Sequence, residues 1–336
     1  MAKMTKKIKS KAGASSSQKV KSEDSTRRNG ATSILAVSNQ KGGVGKTTTV
    51  INLASAWAMQ GKKVCVIDTD YQANATVGLG ASQHQKIGEK NLYLALNDNE
   101  GPVLPLDKVV APTNFKNIDI VAACDRLNEV EDNIVRSSLR DVWLEKLLSS
   151  SKTKEYDIII IDTHPTLSGF FWGIIARSHY YIVPCFPEEF SAIGLHKHMR
   201  AVESIRENLN PMLKCLGILI SNINVSNKGD LGSVSYIEEV LEGTGIEIFD
   251  TFIPTSTSVR QSHRKGQPLC HYSAAKSQPI AHAYACVAKA LSKELKGKRQ
   301  GRKFKKINCD KILSNENSNT FLNNDDDSIS LEGAVT

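Results

Sequence analysis

Short apolar runs alternate with longer helical stretches between residues 33 and 295. Seven runs have the length of strands and are rich in apolar residues, which are mostly continuous rather than strictly alternating: residues 34–37, 64–67, 118–121, 158–161, 181–183, 216–220 and 246–253. Such runs are typical of strands that are buried on both faces. Helical signals mark residues 47–60, 192–208, 234–241 and 280–295. Strands separated by helix-length segments predict a doubly wound α/β fold with a mostly parallel sheet.

The two ends of the 336-residue chain differ from this central part. Residues 1–30 are poor in apolar side chains and carry a net charge of +7, so we predict that they are disordered. Residues 293–306 also carry +7, whereas residues 307–336 carry −5 and residues 31–292 only −1. We therefore predict a basic tail over 1–30, one α/β domain over 31–295, and a disordered, first basic and then acidic tail over 296–336. Basic tails attract polyanions such as DNA, although they also serve as solubilising extensions.

Composition narrows the cellular setting. No apolar run approaches the roughly 20 residues that span a bilayer, and the charged N-terminus lacks the apolar segment of a secretory signal. The seven cysteines are widely spaced and form no C-x-x-C pair, which argues against a disulfide framework or a zinc site. We expect a cytoplasmic protein.

The segment from Ser38 to Thr48 has the pattern of a phosphate-binding loop. It reads SNQKGGVGKTT and lies between a predicted strand and a predicted helix, which is the context that such a loop requires. Its glycines allow backbone N–H groups to surround phosphate oxygens, and the helix adds the positive end of its dipole. We predict that Lys46 reaches the β- and γ-phosphates, that Thr47 coordinates Mg²⁺ and that Thr48 binds the α-phosphate. The ordinary pattern begins with glycine, but Gln40 stands there and a second lysine, Lys41, follows it.

The sequence KGGVGKTT resembles the deviant Walker A box of the ParA/Soj/MinD family of P-loop ATPases, and the resemblance extends over about residues 33–295. It implies an ATPase that requires Mg²⁺. It also implies that Lys41 is catalytic and contacts the ATP of a second protomer in a nucleotide-sandwich homodimer. The ATP-binding residues implied in this loop are Lys41, Gly42, Gly43, Val44, Gly45, Lys46, Thr47 and Thr48.

Two acidic segments follow predicted strands. Residues 68–74, DTDYQAN, resemble the D-x-D-P-Q-G-N switch I segment of the family, with Tyr71 and Ala73 in place of proline and glycine. The resemblance implies that Asp70 positions or activates the attacking water. The alternative is an aspartate pair that caps the end of a strand.

Residues 156–165, YDIIIIDTHP, look like a Walker B strand that delivers Asp162 to the carboxyl edge of the sheet. There Asp162 would bind Mg²⁺ through water, with Thr47 on the other side of the ion. The family pattern after the strand is D-x-P-P, and His164 occupies the first proline position. We interpret His164 as a surface histidine, with charge sensing as the alternative.

The segments IPTS (253–256) and GQP (266–268) resemble the I-P-R-N and G-x-P segments of the family. The resemblance implies that Pro254 and Ser256 contact the adenine. Asn222 is a further candidate for the base, or else a turn residue. A basic stretch follows, which is either a DNA contact or a solvated loop; it consists of Arg260, His263, Arg264 and Lys265.

The resemblance favours a ParA-type partition ATPase. Such a protein dimerises on ATP, binds DNA without sequence preference, associates with the nucleoid and is stimulated by a ParB-like centromere-binding protein. A MinD-like membrane ATPase is the alternative, but residues 307–336 lack the apolar stripe of an amphipathic membrane helix. A nitrogenase-iron-protein-like carrier needs cluster cysteines near Asp162, and none stands there. A non-enzymatic DNA-binding protein leaves the phosphate loop and the acidic segments unexplained.

Overall fold

The apolar runs of the sequence form the strands of one sheet. The computed structural model describes residues 32–86, 88–97, 103–136 and 139–295. Both predicted tails lie outside the described residues. Eight strands are found within these ranges: β1 Ser33–Val37, β2 Val64–Asp68, β3 Ala111–Pro112, β4 Ile118–Val121, β5 Ile158–Asp162, β6 Tyr180–Cys185, β7 Lys214–Ile223 and β8 Ile253–Pro254.

Helices connect most of the strands. Those of the described ranges are α1 Lys46–Met59, α2 Asn74–Gly78, α3 Leu92–Leu96, α4 Leu106–Val109, α5 Leu127–Arg136, α6 Trp143–Leu147, α7 Gly169–Arg177, α8 Glu189–Asn208, α9 Lys228–Leu241, α10 Ser258–Arg264 and α11 Pro279–Leu295. None of these helices combines the length and the apolar character that a membrane crossing would need.

Strand β1 lies in the middle of the sheet. The strand order is β3-β4-β2-β5-β1-β6-β7-β8, and every neighbouring pair is parallel except β3 and β4. The carboxyl ends of the parallel strands therefore share one edge, where ligands bind in open α/β sheets. The register places Asp68 at the end of β2 directly beside Asp162 at the end of β5.

Each face of the sheet is covered by helices, as continuous apolar strands require. Ala36 of β1 points to a core that contains residues of α3 to α9, whereas Leu35 and Val37 point to a second core with α1 and α11. Trp57 of α1 donates its indole N–H to the carbonyl oxygen of Ala288 at 2.9 Å. This bond joins α1 to α11 and holds the helix that follows the phosphate loop in position.

The predicted doubly wound, mostly parallel fold is confirmed, but one predicted strand is wrong. Residues 246–253 do not form a continuous strand. Ile218 exchanges hydrogen bonds of 2.9 Å with Glu247 and Phe249, the chain then bends, and pairing resumes only at β8. Helix α9 also begins six residues before the predicted start at 234, because Asn227 caps it by accepting a hydrogen bond from Gly229 N.

Candidate nucleotide-binding site

The loop between β1 and α1 turns on glycines. Gly43 and Gly45 have φ angles of 75° and 87°, in the left-handed region that glycine adopts without a steric cost. A Cβ atom at Gly45 would also lie 3.3 Å from the hydroxyl oxygen of Ser221. The glycine pattern is therefore required here by both the backbone conformation and the neighbouring strand.

Two side chains outside the predicted set attach this loop to the sheet. Asn39 donates to the carbonyl oxygen of Pro184 on β6 at 2.8 Å and accepts from Lys41 N at 3.0 Å. Ser221, near the end of β7, donates to the carbonyl oxygen of Val44 at 2.9 Å. Sequence reasoning missed both roles. Their position offers a signal, because each polar residue lies at the carboxyl end of an apolar run in a parallel sheet.

Lys46 points inward from the first turn of α1. Lys46 is only 7% exposed, and its ammonium group donates to the carbonyl oxygen of Lys41 at 3.0 Å. Burial lowers the pKa of Lys46, while attraction to Asp162 and then to Asp70 raises it. The predicted phosphate-binding lysine and the two predicted acidic residues thus lie within electrostatic reach of each other.

The side chain of Lys41 is directed to other partners than Lys46, although the Lys46 ammonium group contacts the backbone of Lys41. The Nζ atom of Lys41 is 2.5 Å from Glu188 Oε2 and 3.2 Å from Ser191 Oγ, and its side chain is one-third exposed. Glu188 follows β6 and was not predicted as a site residue. The ion pair with Glu188 therefore directs the ammonium group of Lys41 away from that of Lys46.

Asp162 is fully buried at the end of β5. Burial, followed by repulsion from Asp68, raises its pKa well above the usual range, and Thr47 and Lys46 counteract this shift. Neither carboxylate oxygen accepts a hydrogen bond of normal length and angle from the described residues. A buried acid that lacks such bonds from the described residues and lies beside the Thr47 hydroxyl suits a hard cation such as Mg²⁺.

Asp68 anchors the switch I segment. It accepts hydrogen bonds from the hydroxyl and the backbone N–H of Thr76 at 2.7 and 2.8 Å, and burial nevertheless raises its pKa to about 6. Ala73 has a φ of 55°, so it takes the left-handed conformation at the position where the family pattern has glycine. The loop keeps this turn in spite of the substitution.

Asp70 faces the same site and is 8% exposed. Its Oδ1 atom accepts from Gln72 N at 2.9 Å and lies 4.0 Å from Nε2 of His164. The interpretation of His164 as a surface histidine is wrong, because its side chain is only 12% exposed. The bend after β5 turns the ring toward switch I rather than toward solvent.

The candidate base-binding residues lie on neighbouring strands. Ile223 of β7 is the register partner of Pro254, and Asn222 is exposed with a φ of 59°. Ser256 is half-buried and its hydroxyl lies 3.2 Å from the side-chain oxygen of Gln278. The structure thus brings Asn222 and Pro254 together near Ser221, which touches the phosphate loop, whereas Ser256 has a partner of its own.

The predicted basic stretch lies on helix α10 and at its C-terminal end, and its members differ in exposure. Arg260, Arg264 and Lys265 are exposed, and none of them forms an ion pair within the described part of the chain. His263 is different, because its ring packs toward Gly78 and burial lowers its pKa. Because His263 is half-buried and its pKa is lowered, the basic character of this stretch is carried by the three exposed residues.

The sheet order, the glycine loop after the central strand and the acidic residues at the same edge define a P-loop nucleoside triphosphatase. The family described as an AAA domain matches residues 32–215. Sporulation initiation inhibitor protein Soj of Bacillus subtilis is 31% identical over 71% of this chain and 90% of its own length. Chromosome-partitioning ATPase Soj of Thermus thermophilus is 31% identical over 76% of this chain and 94% of its own length. The chain therefore belongs to the ParA/Soj/MinD family of P-loop ATPases.

A solved structure gives the same picture of the fold. Cobyrinic acid a,c-diamide synthase from Mycobacterium smegmatis, with bound ADP and magnesium, superposes with a TM-score of 0.66 and 25% identity. The match covers 80% of this chain and 97% of the synthase. The family and the fold predicted from the sequence are thus confirmed.

Proposed function

We propose that this protein is a ParA-type partition ATPase. It binds ATP and Mg²⁺, dimerises on ATP, binds DNA without sequence preference and hydrolyses ATP slowly. The observation that carries the proposal is the separation of the two loop lysines. Lys46 is buried toward Asp162 and Asp70, whereas the Lys41 side chain is one-third exposed and pairs with Glu188. A lysine in that second place is available to a second protomer.

The phosphate loop supplies the groups for ATP. The backbone of Gly42, Gly43, Val44 and Gly45 surrounds the phosphates, Lys46 binds the β- and γ-phosphates, and Thr48 binds the α-phosphate. Thr47 and, through water, Asp162 hold Mg²⁺, which neutralises phosphate charge when it is bound. The unpartnered carboxylate oxygens of Asp162 are the feature that suits the ion. Pro254 and Ser256 bind the adenine, with Asn222 as an additional contact.

Asp70 positions the water for hydrolysis. The water oxygen forms a bond to the γ-phosphorus while the bond to the β–γ bridging oxygen breaks, and that electron pair leaves with ADP. The water proton passes to Asp70 and then to the released phosphate. Lys41 of the second protomer neutralises charge that develops during the transfer.

DNA binding rests on charge that is left exposed. Arg260, Arg264 and Lys265 extend from one short helix region, and residues 1–30 add a net charge of +7. Lysine and arginine bind duplex DNA through counterion release, without reading its sequence. The function implies a cytoplasmic, nucleoid-associated protein and a ParB-like partner that stimulates hydrolysis. The similarity to the chromosome-partitioning ATPase Soj of Thermus thermophilus supports this role.

The test uses Lys41→Ala, alone and combined with Asp70→Ala to slow hydrolysis. Oligomeric state is measured by size-exclusion chromatography with light scattering, with and without ATP and Mg²⁺, and duplex DNA binding is measured in the same buffers. We expect the Asp70→Ala protein to be a dimer on ATP and the double variant to remain a monomer that still binds ATP. DNA binding should fall together with the dimer.

Lys62→Ala is the matched control, because Lys62 is also a partly exposed lysine in an ion pair, with Asp157. It should leave the ATP-dependent dimer intact. A dimer in the double variant, with normal hydrolysis by Lys41→Ala alone, would show that Lys41 is an ordinary surface lysine and would overturn the proposal.

A further inference from the structure

Two departures from the family pattern meet in the folded chain. Tyr71 and His164 both stand where the family motifs have proline, one in switch I and the other after the Walker B strand. They are 93 positions apart, yet the centroids of their rings are 4.8 Å apart and the rings are tilted by 40°. The contact connects the two loops that flank the site.

The imidazole also faces the residue that is proposed to position water. His164 Nε2 lies 4.0 Å from Asp70 Oδ1, and the side chains of both residues are 12% exposed. On its other side, His164 Nδ1 lies 2.9 Å from the hydroxyl oxygen of Thr166. When Thr166 donates to Nδ1, the proton of the neutral ring is on Nε2, which is the nitrogen that faces Asp70.

Asp70 has little other support for its orientation. In the described part of the chain its carboxylate accepts one hydrogen bond, from Gln72 N, which belongs to the same loop. The two loops are joined at the strand ends by the Thr69 hydroxyl, which donates to the carbonyl oxygen of Asp162 at 2.6 Å. The pair formed by His164 and Tyr71 is a second connection that lies further along both loops. A proline at position 71 would lack the aromatic ring of this contact, and a proline at position 164 would lack the imidazole nitrogen that faces Asp70.

We propose that His164 is a positioning residue for hydrolysis. Its Nε2–H orients the Asp70 carboxylate from the opposite loop, and Tyr71 holds the imidazole in place by ring contact. His164 does not exchange a proton with substrate in this arrangement. The proposal rests on the proposed function, since it assigns a role in the same ATPase reaction.

Two substitutions at position 164 distinguish the effect of a polar nitrogen from the effect of side-chain volume. Glutamine at position 164 has an amide nitrogen that can reach the place of Nε2, whereas leucine fills similar volume without a donor. In full-length protein at saturating ATP, we expect His164→Leu to lower kcat by about tenfold with little change in the KM for ATP, the pattern of an interaction that acts in the transition state. His164→Gln should restore kcat to within about threefold of the wild-type value.

Coupling to the two neighbours distinguishes positioning from general damage. Because the effect acts through Asp70, adding His164→Leu to Asp70→Ala should lower kcat no further. Tyr71→Ala should lower kcat in the wild-type background but have almost no effect in the His164→Leu background. Tyr71→Phe keeps the ring and should behave like the wild type. His282→Leu, in helix α11, is the histidine control.

Three results would overturn the inference while the proposed function stands. They are a wild-type kcat in His164→Leu, equal losses in His164→Gln and His164→Leu, and additive losses in the double variants. Thermal melting and ATP binding are measured for every variant. If His164→Leu does not fold, the comparison of His164→Gln with Tyr71→Phe and Tyr71→Ala gives the answer. If the wild-type protein does not hydrolyse ATP while it binds ATP and Mg²⁺, the proposed function itself fails.

Discussion

The phosphate end and the base end of the candidate site are built differently. At the phosphate end, Lys46 and Asp162 are buried, and Asn39 and Ser221 attach the loop to two neighbouring strands. At the base end, Asn222 is exposed and Ser256 is half-buried, with its hydroxyl on Gln278. The phosphate loop keeps the family sequence KGGVGKTT, whereas the base segment departs from the I-P-R-N pattern at Thr255 and Ser256.

This difference follows from the chemistry of the two ends. Phosphates and Mg²⁺ carry concentrated charge, so the groups that bind them need fixed positions and low exposure to water. A planar base can be held by several combinations of apolar contact and hydrogen bonds. We therefore expect substitutions at the phosphate end to cost far more than substitutions at the base end.

The largest effect is expected at Lys46. Lys46→Ala should weaken ATP binding by about 100-fold or more, because a charge-assisted contact to two phosphates is lost. Isothermal titration calorimetry of the folded variant measures this change, and Lys62→Ala provides the control. An unchanged affinity for ATP would show that this loop does not bind the phosphates.

Asp70 belongs to the phosphate end but acts on the reaction rather than on binding. Asp70→Ala should bind ATP within about threefold of the wild-type affinity and lower turnover by about 100-fold or more. Phosphate release at saturating ATP, measured beside the affinity, checks this split. Normal turnover would mean that another group positions the water.

The attachment of the loop to β7 gives an intermediate effect. Ser221→Ala removes one hydrogen bond to Val44, which is worth about 0.5–1.5 kcal/mol or about two- to tenfold in ATP affinity. Ser226→Ala, an exposed serine after the same strand, is the control. Equal affinities for the two variants would show that β7 does not support the loop.

The base end should give a small effect. Ser256→Ala is expected to change ATP affinity by about threefold or less, because the Ser256 hydroxyl already lies against Gln278 and its contribution to base binding is at the lower end of the about 0.5–1.5 kcal/mol of a neutral hydrogen bond. The comparison of ATP with GTP affinity tests whether this position selects the base. A loss as large as that of Lys46→Ala would refute the contrast between the two ends.

Helix α10, which follows the base end, gives the smallest expected change. Arg264→Ala should reduce the slope of log K against log salt for duplex DNA by about 0.9, the contribution of one phosphate contact. Lys146→Ala, on the helix layer of the opposite face, should leave the slope unchanged. Identical slopes for both variants would show that α10 does not contact DNA.

The sequence by itself determined the sheet and the phosphate loop. Continuous apolar runs of strand length are typical of strands in a sheet that is covered on both faces. Glycines followed by Lys46 and Thr47, between a strand and a helix, are the pattern of a phosphate-binding loop. The segment 246–253 shows the limit of this reasoning. Its sequence, IEIFDTFI, does not show where the chain bends, because that bend depends on how the segment pairs with Ile218 of β7.

Only the tertiary structure decided which distant side chains became neighbours. Three contacts join segments that are far apart along the chain. They are the ion pair of Lys41 with Glu188, the hydrogen bond from Ser221 to Val44 and the ring contact of His164 with Tyr71. The tertiary structure also decided that His263 is half-buried while Arg264, the next residue, is exposed. Local pattern fixes which residues form an element, whereas the packing of elements fixes which side chains meet at the carboxyl edge of the sheet.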